Sequence, residues 1–275
     1  MRIGIAHPAL GVEIPREVFA RAAKAGAEGV EIDYASPALA TALGQAEHVK
    51  ELTVAAKRSG LALAGLRLSC LREQPSLIGR PEVIETTQEL LLRALGCAAE
   101  AGAAMVVLPF YGKNTIEVEG ELDRAADALL EMADHAEEAG VVLAVETTLA
   151  FHQQEYLLTR VGNTGDVRVS CNAAVALSRK MDVATGLRQL GAGAIALVRL
   201  QDVRMAENEP PDFDVPLGEG DVDFRAVAQA LHAVGYEQWV VVDPPVTERT
   251  LKRPVAAATK AVTFAREALQ NAAGP

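Results

Sequence analysis

Short apolar runs alternate along the whole chain with longer segments of helical period. Eight of the runs predict strands, because they are rich in Val, Ile, Leu and Ala and are bounded by turn residues. They cover residues 2–7, 29–34, 61–69, 104–110, 141–146, 167–172, 195–202 and 238–243. The segments between them predict helices over 14–26, 38–59, 80–102, 118–139, 151–161, 176–192, 223–235 and 247–271.

Glycines recur where a predicted helix passes into the next strand. Gly60, Gly102, Gly140 and Gly235 stand at such junctions, as expected for short αβ loops. Eight strand–helix units joined by right-handed crossovers predict an α/β fold, a single (β/α)8 TIM barrel that spans residues 1–275 as one domain. The alternative is a doubly wound open sheet. That fold usually has a G-x-G-x-x-G loop after its first strand, and HPALGVEIP lacks this spacing.

Composition excludes several classes of protein. With 50% hydrophobic residues the chain can bury a large core. The net charge of -11 opposes binding to nucleic acid. No apolar run approaches the roughly 18 residues needed to cross a bilayer, and the N-terminus has no secretory apolar region. The three cysteines are odd in number and widely spaced, which fits a reducing, cytoplasmic location better than a disulfide framework.

Four apolar runs of the second half each admit one polar residue near their C-terminal end. These residues are Glu146, Asn172, Arg199 and Asp243. Their spacing of roughly 25 to 45 residues equals one strand plus one crossover helix, so we expect successive parallel strands to bring them to one mouth of the barrel. Buried polar groups of this kind are costly unless paired. The ring is therefore either a working site or a polar cluster that satisfies itself.

One long irregular segment, about 203–224, follows the seventh predicted strand and is rich in Pro, Asp, Glu and Gly. A loop of this length in a compact domain is usually a lid or binding loop, or else a disordered insertion. We favour a lid, because the end of the segment, PLGEGDVDF, has the character of ordered chain.

PLGEGDVDF, followed by an amphipathic helix and GYEQWVVVD, resembles the C-terminal signature of the xylose isomerase-like TIM barrel superfamily of sugar isomerases and epimerases. The likeness extends along the chain: GVEIDY is similar to the second strand of that family, AEEAGVVLAVETT to the fifth, VRVSCNAA to the sixth and IALVRLQDV to the seventh. The PLGEGDVDF match is the most specific of these.

The resemblance implies a divalent-cation site with a Glu on strand five, an Asp on strand six, a His on strand seven and a Glu on strand eight. This chain keeps the first as Glu146 but has Asn172, Arg199 and Asp243 at the other positions. Asp has a shorter arm than Glu, and Asn still offers an oxygen. A guanidinium has no accessible lone pair and a permanent charge, so Arg199 cannot bind a metal and should pair with Glu146 or Asp243 instead.

We therefore predict no metal and no cofactor, with the cationic side chain of Arg199 in the space that the family gives to its metal. If a cation binds after all, we expect a weakly held Mn²⁺, Mg²⁺, Co²⁺ or Zn²⁺ on Glu146, Asn172 and Asp243.

The resemblance favours an enzyme of the isomerase or epimerase type that acts on a small, carbohydrate-like polyhydroxylated or keto compound. In this hypothesis Glu146 and Asp243 transfer a proton next to a carbonyl, and Arg199 stabilises the enediolate oxygen. The alternative is a catalytically silent barrel that serves as a ligand-binding or partner subunit. The apurinic endonuclease branch of the superfamily is excluded by the missing metal-ligand histidines and by the net charge. A homo-oligomer is left open.

Further side chains near strand ends are candidates for substrate binding beside Asn172. Each has a plain structural alternative, such as a hydrogen-bonded core histidine or a surface ion pair. Phe110 and Tyr111, at the end of the fourth strand, suit a wall against a sugar face or simple packing. The predicted substrate-binding set also includes His7, Glu31, Arg67, Lys113, His152 and Asp202.

Overall fold

The computed structural model describes residues 1–73 and 76–272. Eight parallel strands form a closed barrel in chain order, which confirms the predicted (β/α)8 fold. Every predicted strand is present, with ends that differ by at most two residues. The strands are β1 Arg2–Ala6, β2 Gly29–Asp33, β3 Ala62–Arg67, β4 Met105–Phe110, β5 Val142–Thr147, β6 Val167–Asn172, β7 Ile195–Leu200 and β8 Trp239–Val242.

Helices lie between successive strands and after β8. They are α1 Pro15–Ala25, α2 Pro37–Ala40, α3 Ala46–Ser59, α4 Pro81–Ala101, α5 Glu119–Ala139, α6 Phe151–Arg160, α7 Ala173–Ser178, α8 Val183–Ala194, α9 Phe224–Ala233, α10 Glu248–Leu251 and α11 Pro254–Asn271. The predicted glycine junctions are confirmed. The φ angles are all positive, at 72° for Gly60, 76° for Gly102, 64° for Gly140 and 67° for Gly235.

Three helices predicted as continuous are each divided in two. The segment 38–59 is interrupted near Gly44, whose φ of 85° does not fit a right-handed helix. The segment 176–192 begins earlier, at Ala173, and its second part starts afresh where the Asp182 side chain accepts the backbone N–H of Thr185. The segment 247–271 breaks before Pro254, which fits only the first turn of a helix.

The chain divides into two compact units. Unit 1 comprises residues 1–31, 55–62 and 171–275, and unit 2 comprises residues 32–54 and 63–170. The prediction of one domain over residues 1–275 stays a prediction. In each unit the strands are buried on both faces, as parallel strands covered by helices are: all six residues of β4 and all six of β7 are buried. In unit 2, β4 and β5 pair over their whole length, from Met105 opposite Val142 to Phe110 opposite Thr147.

The single tryptophan of the chain packs at the start of β8 in unit 1. A Cβ added to Gly29 would lie 2.5 Å from the Trp239 ring, so a side chain at Gly29 would displace the indole. Arg2 lies on the neighbouring strand β1, and its guanidinium carbon is 4.0 Å from the centroid of the Trp239 ring, in cation–π geometry. The glycine of GVEIDY is therefore explained by the space that the tryptophan occupies.

No helix within the described ranges is both long enough and apolar enough to cross a membrane. Cys70, Cys97 and Cys171 all lie within the described residues, are buried and form no disulfide. Burial raises the pKa of the Cys70 thiol and of the Cys97 thiol to about 11. These two thiols therefore remain protonated near neutral pH, which fits packing rather than nucleophilic roles.

Candidate active site

Arg199 is the centre of a buried cluster in unit 1, which we call the arginine cluster: Arg199, Glu31 and Asp243. Its Nη2 donates to both carboxylate oxygens of Glu31, at 2.8 and 2.9 Å, and its Nη1 donates to Oδ2 of Asp243 at 3.3 Å. The side chains of Arg199 and Glu31 are 0% and 1% exposed, whereas that of Asp243 is 17% exposed. Asp243 is therefore the member of the cluster that solvent reaches.

The strands explain why these three side chains meet. Arg199 is the fifth residue of β7. Strand β7 pairs with β8, and Arg199 lies opposite Val241. Val241 precedes Asp243 by two residues. Glu31 is the central residue of β2. The predicted pairing of Arg199 with Asp243 is confirmed. Glu31 is the closer partner of the guanidinium, and its predicted contact with a substrate stays a prediction.

Asn172 has a structural task at the end of β6. Its Oδ1 accepts the backbone N–H groups of Ala174 and Val175, at 3.1 and 3.2 Å, and so caps helix α7. Its Nδ2 donates to Oε1 of Gln201 at 3.0 Å. The oxygen that was predicted to face a substrate or a cation is thus already bound by two donors. An Asn directly before the helix-forming stretch Ala-Ala-Val was a sequence signal for this cap.

Asp202 anchors the long segment that follows β7. Its Oδ1 accepts the N–H groups of Val203 and Val222, and its Oδ2 accepts those of Gly218 and Gly220. The carboxylate is 1% exposed. Four backbone donors on one buried carboxylate hold both ends of the segment together. The predicted substrate-binding role of Asp202 stays a prediction. The C-terminal part of the segment, PLGEGD, was predicted to be ordered, and these hydrogen bonds fix it in place.

Unit 2 contains a second polar group, the glutamate cluster: Glu146, Arg67, Tyr111 and Ser170. Arg67 Nη2 and the Tyr111 hydroxyl each donate to Oε1 of Glu146 at 2.8 Å, and the Ser170 hydroxyl donates to Oε2 at 3.1 Å. Glu146 is fully buried on β5. These donors stabilise its charged form in a place where an unpaired carboxylate would be costly.

The sequence pointed to part of this cluster only. Glu146 and Arg67 were predicted site residues, whereas Tyr111 was predicted as a wall and Ser170 was not predicted at all. Ser170 stands two residues before Asn172 on β6, so the alternation of side chains along a strand was the signal that could have found it.

A family model described as xylose isomerase-like TIM barrel matches residues 19–268. The chain belongs to this family. Solved structures with the same architecture include L-ribulose 3-epimerase, with a TM-score of 0.80 and 20% identity over 98% of this chain and 95% of that one. D-psicose 3-epimerase from Clostridium cellulolyticum H10 in complex with D-tagatose has a TM-score of 0.79 and 18% identity over 98% and 99% of the two chains. At these identities the likeness shows the fold.

One characterised relative is similar over part of its length. It is a 2-epi-5-epi-valiolone 7-phosphate 2-epimerase of Actinoplanes sp., 28% identical over 142 residues. The match covers 52% of this chain and 51% of the relative. The chain thus spans about half the length of the curated relative that it matches.

The donor set of this family member does not fit the divalent cation that the resemblance implies. The guanidinium of Arg199 offers no lone pair and would repel a cation beside it. Asn172 uses its oxygen to cap α7. Among the described residues, no group of three or more His, Cys, Asp or Glu side chains is placed to hold a metal ion. The expectation that no metal is required stays a prediction.

The remaining predicted residues have varied surroundings. His7 is buried after β1, with Nε2 3.2 Å from a carboxylate oxygen of Glu13. Lys113, in a short 3₁₀ helix after β4, is exposed. His152 is exposed in the first turn of α6. Their predicted contacts with a substrate stay predictions.

Proposed function

We propose that this protein is an isomerase or epimerase that moves a proton at a carbon next to a carbonyl group in a small polyhydroxylated or keto compound. Membership of the xylose isomerase-like family supports this proposal, and the solved epimerases share its fold. The observation that carries it is Asp243, a carboxylate held by a buried guanidinium and still reached by solvent.

Asp243 is the proposed base. Within the arginine cluster, Glu31 already neutralises Arg199 through two short hydrogen bonds, so Asp243 carries the surplus negative charge of the three groups. When Asp243 takes a proton from the substrate, the three groups together become neutral. In an isomerase the same carboxyl group can deliver the proton to the neighbouring carbon of the enediolate, whereas an epimerase needs a second proton donor on the opposite face of the reacting carbon.

Arg199 has a different role from the one that the sequence suggested. A side chain with 0% exposure does not contact a substrate in this conformation, so we no longer propose that it touches the enediolate oxygen. We propose that it is a positioning residue, which orients the Asp243 carboxylate through the hydrogen bond from Nη1.

Glu146 was predicted as the second acid or base. In the glutamate cluster it is fully buried and accepts hydrogen bonds from Arg67, Tyr111 and Ser170. A substrate proton could reach it only after a donor moved away. We therefore propose that Glu146 orients Arg67 and Tyr111, which lie closer to solvent.

Deuterium exchange tests the proposed base. Keto sugars and keto cyclitols, with and without phosphate, are incubated with protein in D2O, and loss of the proton next to the carbonyl is followed by ¹H NMR. The panel includes phosphorylated compounds because the relative from Actinoplanes sp., which matches over half of its length, is named as an epimerase of a 7-phosphate. We expect exchange with at least one compound, and a rate about 10² to 10⁴ lower in Asp243→Asn, the usual effect of losing a general base.

Glu248→Gln is the matched control, since Glu248 is exposed at the start of α10, five residues after Asp243. It should exchange at the wild-type rate. Exchange that survives in Asp243→Asn would refute Asp243 as the base. No exchange with any compound of the panel would favour the alternative, a barrel that binds ligands without catalysis.

Removal of metal ions gives a separate prediction. Because the residues around Arg199 do not fit a divalent cation, we expect dialysis against EDTA to leave the exchange rate within twofold of the untreated value. A loss of activity that Mn²⁺, Mg²⁺, Co²⁺ or Zn²⁺ restores would contradict this.

A further inference from the structure

A cavity of about 550 Å³ lies in unit 1 between the segment after β7 and the chain that follows β8. This volume is typical of sites for small molecules. The walls come from the PLGEG turn, from Pro244 and Pro245, and from the chain around α10 and the start of α11. Pro244 directly follows Asp243 in the chain, so their Cα atoms are about 3.8 Å apart, although Asp243 itself does not line the cavity.

The cavity walls contain more cations than carboxylates. The cations are Arg249, Lys252, Arg253 and Lys260, and the carboxylates are Asp214 and Glu219. This balance is opposite to that of the whole chain, whose net charge is -11. Positive charge is therefore concentrated at this cavity in an otherwise acidic protein.

Within the described part of the chain, three of the four cations form no side-chain hydrogen bond and no ion pair, although the charge of Arg249 also acts on Glu219. Lys260 donates to Glu219 at 2.7 Å, and this interaction lowers the pKa of the Glu219 carboxyl. Arg249, Lys252 and Arg253, by contrast, make no side-chain hydrogen bond or ion pair with any described residue. Two exposed guanidinium groups and one exposed ammonium group that line the same cavity are suited to an anion with several acceptor oxygens.

Helix α11 adds to the positive potential. Ala256 and Ala257, in its first turn, line the cavity, and no side chain caps its N-terminus. No acidic residue lies in that turn. The positive end of the dipole of this 18-residue helix is therefore not neutralised by an acidic side chain of its first turn and adds positive potential at the cavity. In (β/α)8 barrels, the loops after strands seven and eight frequently hold phosphate groups.

We propose that this cavity binds the phosphate monoester of a phosphorylated substrate whose keto-bearing part reaches Asp243. The identification of the substrate class rests on the proposed function, whereas the binding of phosphate can be measured without turnover. A nucleic acid is a poor alternative, because the cavity has the size of a small molecule and the net charge repels a polyanion.

Calorimetric titration with inorganic phosphate tests the site directly, with chloride at equal ionic strength as the reference. We expect saturable binding to the wild-type protein and a Kd at least tenfold higher in the double variant Arg249→Gln/Arg253→Gln. Arg16→Gln/Lys24→Gln is the matched control, since it removes the same charge from exposed positions of α1 in the same unit. This control should bind phosphate within threefold of wild type. Circular dichroism verifies that all variants are folded.

Turnover separates this inference from the proposed function. With a phosphorylated substrate, the Arg249→Gln/Arg253→Gln variant should show a KM raised at least tenfold and a kcat within threefold of wild type. The inference is overturned if phosphate does not bind saturably, or if both double variants weaken binding equally. If the protein exchanges the proton of unphosphorylated sugars but does not bind phosphate, the proposed function is retained and the phosphate-binding role of the cavity is refuted. Arginine-dependent phosphate binding without exchange on any compound would retain the anion site and refute the proposed function.

Discussion

Arg199 has two carboxylate partners that differ in distance and in exposure. Glu31 is buried and accepts at 2.8 and 2.9 Å, whereas Asp243 accepts at 3.3 Å and is partly exposed. Removing one member of a buried pair leaves an uncompensated charge, which costs more than the pair contributes. The Glu31 interaction should therefore dominate the effect of Arg199 on stability.

A double-mutant cycle measures this interaction. We expect Arg199→Met to lower the free energy of unfolding by about 3 to 5 kcal/mol, because it leaves the Glu31 carboxylate buried without its cation. Adding Glu31→Gln should recover a large part of the loss, since an amide carries no charge. Urea denaturation provides the measurement.

Arg160→Met is the control for that cycle, because Arg160 pairs with Asp127 at 2.8 Å on the exposed surface. Screening by water makes exposed pairs weak, so little effect is expected. If Arg199→Met were no more destabilising than Arg160→Met, the account of the arginine cluster would be wrong.

At the residue scale, sequence reasoning found the charges but not all of their partners. A guanidinium in an apolar run has to be paired, so a carboxylate contact for Arg199 was predictable. Glu31 lies 168 residues away, and its choice as the main partner depends on how the strands are staggered in the barrel. The four donors of Asp202 are backbone groups, whose positions depend on the path of the chain rather than on residue type.

Strands were easier to predict than helices. Parallel strands covered on both faces are nearly continuous apolar runs, so all eight were recognised and their ends were placed within two residues. The helical spacing of apolar residues, by contrast, can continue across a short break in the helix, so the pattern does not reveal the break. Of the three interruptions, the one before Pro254 could have been predicted from the proline itself.

The Asp202 anchor leads to a prediction for the segment after β7. In Asp202→Asn, an NH2 group would replace one carboxylate oxygen and would face backbone donors that it cannot satisfy. We expect a loss of about 2 to 3 kcal/mol in the free energy of unfolding. We also expect faster cleavage between residues 204 and 216 in limited proteolysis, because both ends of the segment would loosen.

Glu207→Gln is the comparison for this variant, since Glu207 is exposed within the same segment. It should be cleaved at the wild-type rate. Equal cleavage of Asp202→Asn and Glu207→Gln would show that the carboxylate does not hold the segment.

At the scale of the whole molecule, the periodic pattern and the PLGEGDVDF signature were sufficient for the fold and the family, and both are confirmed. The chemistry of the site was less accessible. Asn172 and Asp202 occupy positions where a site residue was expected, but a side chain that caps a helix or anchors a loop has the same sequence signature as one that binds a ligand.

Global stability should depend on pH through His48, whose Nε2 lies 2.7 Å from the Tyr34 hydroxyl. Burial raises the pKa of Tyr34, so its hydroxyl keeps its proton. Burial also lowers the pKa of His48, and the nearby Glu51 offsets part of that effect. The unfolded chain, with a histidine pKa of about 6.5, therefore takes up a proton before the folded protein does as the pH falls.

The stability linked to His48 is accordingly complete above pH of about 6.5 and decreases as the pH falls toward the lower pKa of the folded state. Urea denaturation at several pH values should show a smaller decrease in His48→Gln than in wild type. His135→Gln, at an exposed position of α5, should retain the wild-type decrease. An unchanged pH dependence in His48→Gln would contradict the assignment.

The packing of Trp239 against Gly29 and Arg2 provides a built-in optical probe. All intrinsic indole emission comes from this one buried ring, so a red shift in denaturant would report the loosening of β1, β2 and β8 at one defined place. The ring is four residues before Asp243, roughly 13 Å along an extended chain. A ligand at Asp243 would not touch the indole, and fluorescence could follow unfolding in the presence of substrate without direct quenching.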